Sequence, residues 1–149
     1  MACLDGAIAG LIGASIIAIS FLFIDTVAHL PLYTPTVLGE GLLLREQSFA
    51  PNAGEPVSLK VTLMYSGVHG LVFILLGMIA AFLLLIPKKK LQFGVTLLAL
   101  FAVLEIGFVG TTFFIAKPVL HELAWPIVML GNFLAACGMA CYLSIRRSD

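Results

Sequence analysis

The chain has 149 residues, of which 61% are hydrophobic and 11% charged, with a formal net charge of zero and a mean hydropathy of +1.13. Soluble domains carry about 25% charged residues, so the composition excludes an ordinary water-soluble globule and points to lipid as the solvent. Eight basic residues balanced by eight acidic ones leave no positive field for a nucleic acid.

In chain order, the first apolar run predicts a helix over about 6–30, with Asp5 at its positive N-terminal end. The first ten residues lack a basic segment, and no small-residue cleavage site follows, so the run is read as a retained helix and not a signal peptide. Gly6, Gly10 and Ala14 form a small-residue stripe that lets another backbone approach. Pro31 is expected to end this helix, and residues 31–58 form the longest connection. Within it Thr34 and Pro35 start a short helix too short to span, and 49–56 reads as an irregular loop.

Further helices are expected over about 59–86, 91–116 and 119–143, joined by the run Lys88, Lys89, Lys90 and by the turn at Lys117 and Pro118. Short connections make neighbours antiparallel. The expectation is an all-α protein: one membrane domain, 1–149, built as a four-transmembrane-helix up-down-up-down bundle. Lys88 to Lys90 with Arg146 and Arg147 outnumber Arg45, Lys60 and Lys117 on the opposite side, which places both termini in the cytoplasm.

The stretch 21–35, FLFIDTVAHLPLYTP, carries Asp25 and His29 four residues apart on one helix face. Counted at 1.5 Å per residue, Asp25 lies about 9 Å inside Pro31, His69 about 15 Å inside Leu59 and Glu105 about 16 Å inside Ala116. His29, His121 and Glu122 fall near the same outer boundary. Ionisable groups at such depth face the interior of a helix set and find partners. A one-sided cluster of this kind argues against a transport path, which needs polar groups along its whole length.

Two readings of the cluster stand side by side. Asp25, His29, His69, Glu105, His121 and Glu122 make an imidazole and carboxylate set that suits a transition metal held between facing helices. Haem is a further option, with two of His29, His69 and His121 as axial ligands, Tyr65 and Phe73 flanking His69 and Phe101 and Phe108 flanking Glu105, and the same histidine and aromatic groups also suit a quinone. Alternatively the same groups hydrogen-bond each other, His69 with Glu105 and Asp25 with His29 or Tyr33, and tie the helices together. Pro126 is expected to kink the fourth helix beside Glu122. Cys3, Cys137 and Cys141 map to the reducing side, so no disulfide is expected.

The segments AGLIGASIIAISFLFIDTVAHLPLYTPTVLG, YSGVHGLVFILLGMIAAFLLL, ALFAVLEIGFVG and ELAWPIVMLGNFLAACGMACYL resemble a group of small uncharacterised bacterial four-helix membrane proteins. The resemblance implies a multi-pass protein of the bacterial cytoplasmic membrane and carries no activity. Three functional expectations follow from the residues. The first is an accessory subunit of a larger membrane complex, respiratory or otherwise redox-active, whose partners are lipid and other membrane subunits or further copies. The second is a stand-alone metal- or haem-dependent oxidoreductase, and the third a small transporter.

Overall fold

A computed structural model describes residues 2–44, 58–84, 93–115 and 125–148. These form five α-helices: α1 (Ala2–Val27), α2 (Tyr33–Gly39), α3 (Leu59–Leu84), α4 (Phe93–Ile115) and α5 (Trp125–Ser148). A π-helical turn, Glu40–Leu44, prolongs α2. Among the described residues there is no strand. Three helices, in α1, α3 and α5, are long and apolar enough to cross a membrane.

Apolar character runs round these long helices, so the faces that pack are chosen by shape. The buried face of α1 reads Gly6, Ala9, Gly10, Gly13, Ala14 and Ile17. A Cβ on Gly6 would lie 2.5 Å from Met78 Cα, one on Gly10 would strike the Phe73 carbonyl, and one on Gly77 would strike the Gly6 carbonyl. Only glycine permits two backbones to meet this closely. Because Gly6 meets residues 77 and 78 while Gly10 meets 73 and 74, α1 and α3 run antiparallel.

The other face of α1 receives α5. Gly13 faces Met139, Gly138 faces Ile12 and Ile16, and Arg146 reaches Asp5 at 3.1 Å, so these helices are antiparallel as well. Ala135, Ala136, Met139 and Ala140 are fully buried. α4 packs on α5, again antiparallel, through Phe101 against Phe133 and Phe108 against Trp125, both edge to face. Ile17, Phe73, Leu100, Leu104, Ala136 and Met139 belong to one core cluster drawn from all four long helices. Large apolar side chains cover the outside as well: Ile106 is 72% exposed and Phe23 69%. Faces of this kind suit lipid or a protein neighbour and not water.

Three boundaries differ from the sequence expectation, the first being the start of α1 at Ala2 in place of Gly6. α1 stops at Val27, before Pro31, because His29 adopts the left-handed conformation at φ 60°. Leu30 N–H then donates to Asp25 O at 2.8 Å and His29 N–H to Thr26 O at 3.1 Å, the pair of bonds that closes a Schellman turn. α5 continues past Leu143 to Ser148, which carries Arg146 to Asp5. Pro126 is the second described residue of α5, and Glu122, beside which the kink is expected, lies outside the described residues. The loop 49–56, the lysine run 88–90 and the turn at Lys117 and Pro118 lie outside the described residues.

Candidate functional site

Asp25 is an ionisable group held on both carboxylate oxygens. It is buried at 4% exposure, and its carboxylate accepts from one residue twice: Thr34 N–H donates to Oδ2 at 2.8 Å and Thr34 Oγ1–H to Oδ1 at 2.6 Å. The residue before α2, Leu32, sits at φ 66° and offers no side-chain cap. Asp25 therefore does from the end of α1 what an N-cap residue does locally, satisfying a free N–H in the first turn of α2. Thr34, expected as the cap, is instead the capped residue.

The connector is then fastened to α3. Thr36 Oγ1–H donates to Leu32 O at 2.8 Å, which commits its proton, so the Thr62 hydroxyl donates to Thr36 Oγ1 across a buried 3.0 Å contact. Gly39 lies against Val61 and Tyr65, where a Cβ would come within 2.6 Å of Val61 Cγ1. Asp25, Thr34, Thr36 and Thr62 thus make one polar seam joining α1, α2 and α3.

Glu105 has a different partner. Asn132 Nδ2–H donates to Glu105 Oε1 at 3.1 Å and ties α4 to α5. Its neighbours Phe101 and Phe108 turn to aromatic rings of α5.

His69 stands apart from both. Its ring stacks on Tyr65 with centroids 5.8 Å apart and is tilted against Phe73 at 4.7 Å. Its ring lies at the level of Ala14, and Nε2 is buried with no hydrogen-bond partner.

The helix register explains why these residues do not converge. His69 is level with Ala14, beside the contact of Gly13 with Met139. Asn132 and its partner Glu105 stand seven residues along α5 from Met139, about 10 Å nearer the α2 end. Asp25 is eleven residues from Ala14, about 16 Å away in the same direction. The shared depth expected for His69 and Glu105 is therefore corrected: Pro31 and Leu59 are not level, since the Gly10 and Phe73 contact puts Asp25 opposite the first turn of α3. His69 and Glu105 do not pair, and Asp25 pairs with the connector.

Among the described residues no three His, Cys, Asp or Glu side chains come together as a metal site. His29 is exposed at the α1 turn, and His121 and Glu122 lie outside the described residues. No family model, curated protein or solved structure matches this chain. The chemistry must be read from the side chains alone.

Sequence reasoning missed Thr34, Thr36, Thr62 and Asn132 as partners. A signal for the first was present: Asp25 precedes Thr34 by nine residues across a turn containing Pro31, close enough for a carboxylate to reach the next helix start. Cys3, Cys137 and Cys141 are free thiols, with the Cys3 thiol donating to Met78 Sδ at 3.3 Å.

Proposed function

We propose that the chain is an accessory subunit of a larger membrane complex, a four-span up-down-up-down bundle in the bacterial cytoplasmic membrane with both termini on the cytoplasmic side. The observation that carries the accessory reading is the pairwise use of its polar groups. Asp25 with Thr34, Thr36 with Thr62 and Glu105 with Asn132 each tie one element to the next. Groups spent in this way hold helices in place, as hydrogen bonds do in lipid, where no hydrophobic force drives one helix onto another.

The four-span topology is supported by the antiparallel contacts and by the ion pair of Asp5 with Arg146, which puts the start of α1 and the finish of α5 at one end. The basic residues Lys88 to Lys90, Arg146 and Arg147 favour the cytoplasm for that end. α4, Phe93–Ile115, is about 34 Å long and serves as the fourth span. The experiment is purification of a tagged chain from its native membrane in mild detergent, followed by native electrophoresis. Larger subunits that co-migrate with the chain support the accessory role, whereas a free chain in every mild detergent overturns it.

The stand-alone metal- or haem-dependent oxidoreductase is the second reading, and the unpartnered Nε2 of His69 favours it. An absorption spectrum and elemental analysis of the same preparation separate the two. A Soret band or stoichiometric metal bound to the isolated chain moves the balance to the enzyme.

A further inference from the structure

Glu105 stands one residue from the midpoint of α4, Phe93–Ile115, so with α4 in lipid its carboxylate lies about as far from water as a side chain of this helix can. Asn132 Nδ2–H donates to Oε1, and among the described residues nothing donates to Oε2. Glu105 is half-buried, and Oε2 is not sealed inside the helix set. A carboxylate at this depth is costly and is kept where a partner compensates it. An amide supplies a hydrogen bond and no opposite charge. The chain has no base to offer, since Arg45, Lys60, Lys88 to Lys90, Lys117, Arg146 and Arg147 all stand at the ends of the long helices or outside them. A second copy does no better: in a side-by-side pair its His69 lies about 10 Å along the span from Glu105.

We infer that the Glu105 flank of α4 is the docking surface for a transmembrane helix of another chain, one that brings a lysine or arginine to the same depth. The positions beside the carboxylate suit a helix. Leu98 and Ala102 precede Glu105 by seven and three residues, share its side of α4 and are exposed, whereas Phe101 and Phe108 take the side turned to α5. The small Ala102, one turn before the acid, lets a second helix come close. A long basic side chain on that helix then reaches Oε2 while Oε1 stays with Asn132. The carboxylate supplies the selectivity: a neighbour with leucine at this level leaves the acid unpaired, and one with a second acid repels it. The assignment rests on the accessory reading of the chain and adds the chemistry of the neighbour.

The test uses the full chain in phospholipid vesicles with a synthetic helix of about twenty leucines bearing one Lys, Gln or Leu at its centre, association being read by energy transfer between labels on the two. The Lys helix is expected to bind tightest, with the Leu helix weaker by about tenfold and the Gln helix between them. Glu105→Gln keeps an amide oxygen for Asn132 and removes the charge, and abolishes the preference for Lys over Gln. Glu105→Asp restores part of it. Helical circular dichroism of each variant shows whether it folds, and the ranking of the three helices on the wild type stands without any variant. Equal binding of the Lys and Leu helices, a Gln helix as tight as the Lys helix, or a Lys preference that survives Glu105→Gln overturns the proposal. Energy transfer between two labelled copies of the chain that Glu105→Gln abolishes also overturns it, by showing that a second copy covers this flank. The accessory reading fails separately, when the unaltered chain migrates alone from its native membrane.

Discussion

At the end where α1 begins and α5 finishes, Gly6, Gly10 and Gly77 bring two backbones into contact, and alanines of α5 close the other side. At the opposite end the same helices are joined through Asp25, Thr34, Thr36 and Thr62, and α4 is joined to α5 through Glu105 and Asn132. One end is held by close backbone approach, with the Asp5 and Arg146 pair beside it, and the other by buried side-chain hydrogen bonds. Both devices answer one problem: lipid is as apolar as leucine, so helices associate through close packing and polar contacts. The close-packed end fixes the register, and the register then decides which polar groups can meet.

The comparison breaks most severely at the glycine contact. In Gly10→Leu the new side chain meets the Phe73 backbone, which cannot withdraw as a flexible side chain can. We expect a loss of about 3 kcal/mol or more, with most of the protein misfolded or aggregated on extraction, read by thermal unfolding in detergent. Next in size is Asp25→Ala, which leaves two Thr34 donors without their acceptor. The expected loss is about 2 kcal/mol, with Asp25→Asn retaining part of it, and amide exchange should accelerate in α2 before it does in α5.

The smallest effect has the opposite sign. His29→Gly relieves a non-glycine residue held at φ 60° in the Schellman turn, and unfolding should move upward by about 1 kcal/mol. The same variant sharpens the functional comparison. A turn residue can be replaced with no change in bound metal, whereas a metal ligand cannot, so metal content measured beside stability separates the two roles.

Much of the architecture was legible in the chain. Apolar runs located the long helices, and Thr34 with Pro35 located the short one. The stripe from Gly6 to Ala14 announced a close approach, and the structure supplies its partners in Gly77 and Met78 of α3. The aromatic flanks of His69 also follow from spacing, since residues four apart on a helix are neighbours.

What could not be read was the offset between helices. Distance along one chain segment gives depth relative to that segment's own end, and the ends at Pro31 and Leu59 are not level. A helix that is apolar on every side carries little phase information to correct the error, so His69 and Glu105 seemed to share a depth and Asp25 to belong to the same outer cluster. The glycine contacts spread them over about 16 Å. His69 gains most from the correction, because it stands beside Ala14 with an unpartnered Nε2 instead of as one member of a crowd. Thr36, Thr62 and Asn132 were hidden for a simpler reason: threonines and asparagines in apolar helices often bond within their own helix, as Thr26 and Ser66 do here.

The central claim is that, among the described residues, Asp25, His69 and Glu105 stand at separate levels and do not come together as a shared metal site. Elemental analysis of the protein purified from its native membrane tests it most directly, with wild type, Asp25→Asn and Glu105→Gln compared side by side. The account predicts no stoichiometric transition metal in any of the three, and only stability differing between them. A stoichiometric metal in the wild type that is lost from both variants alike would contradict it.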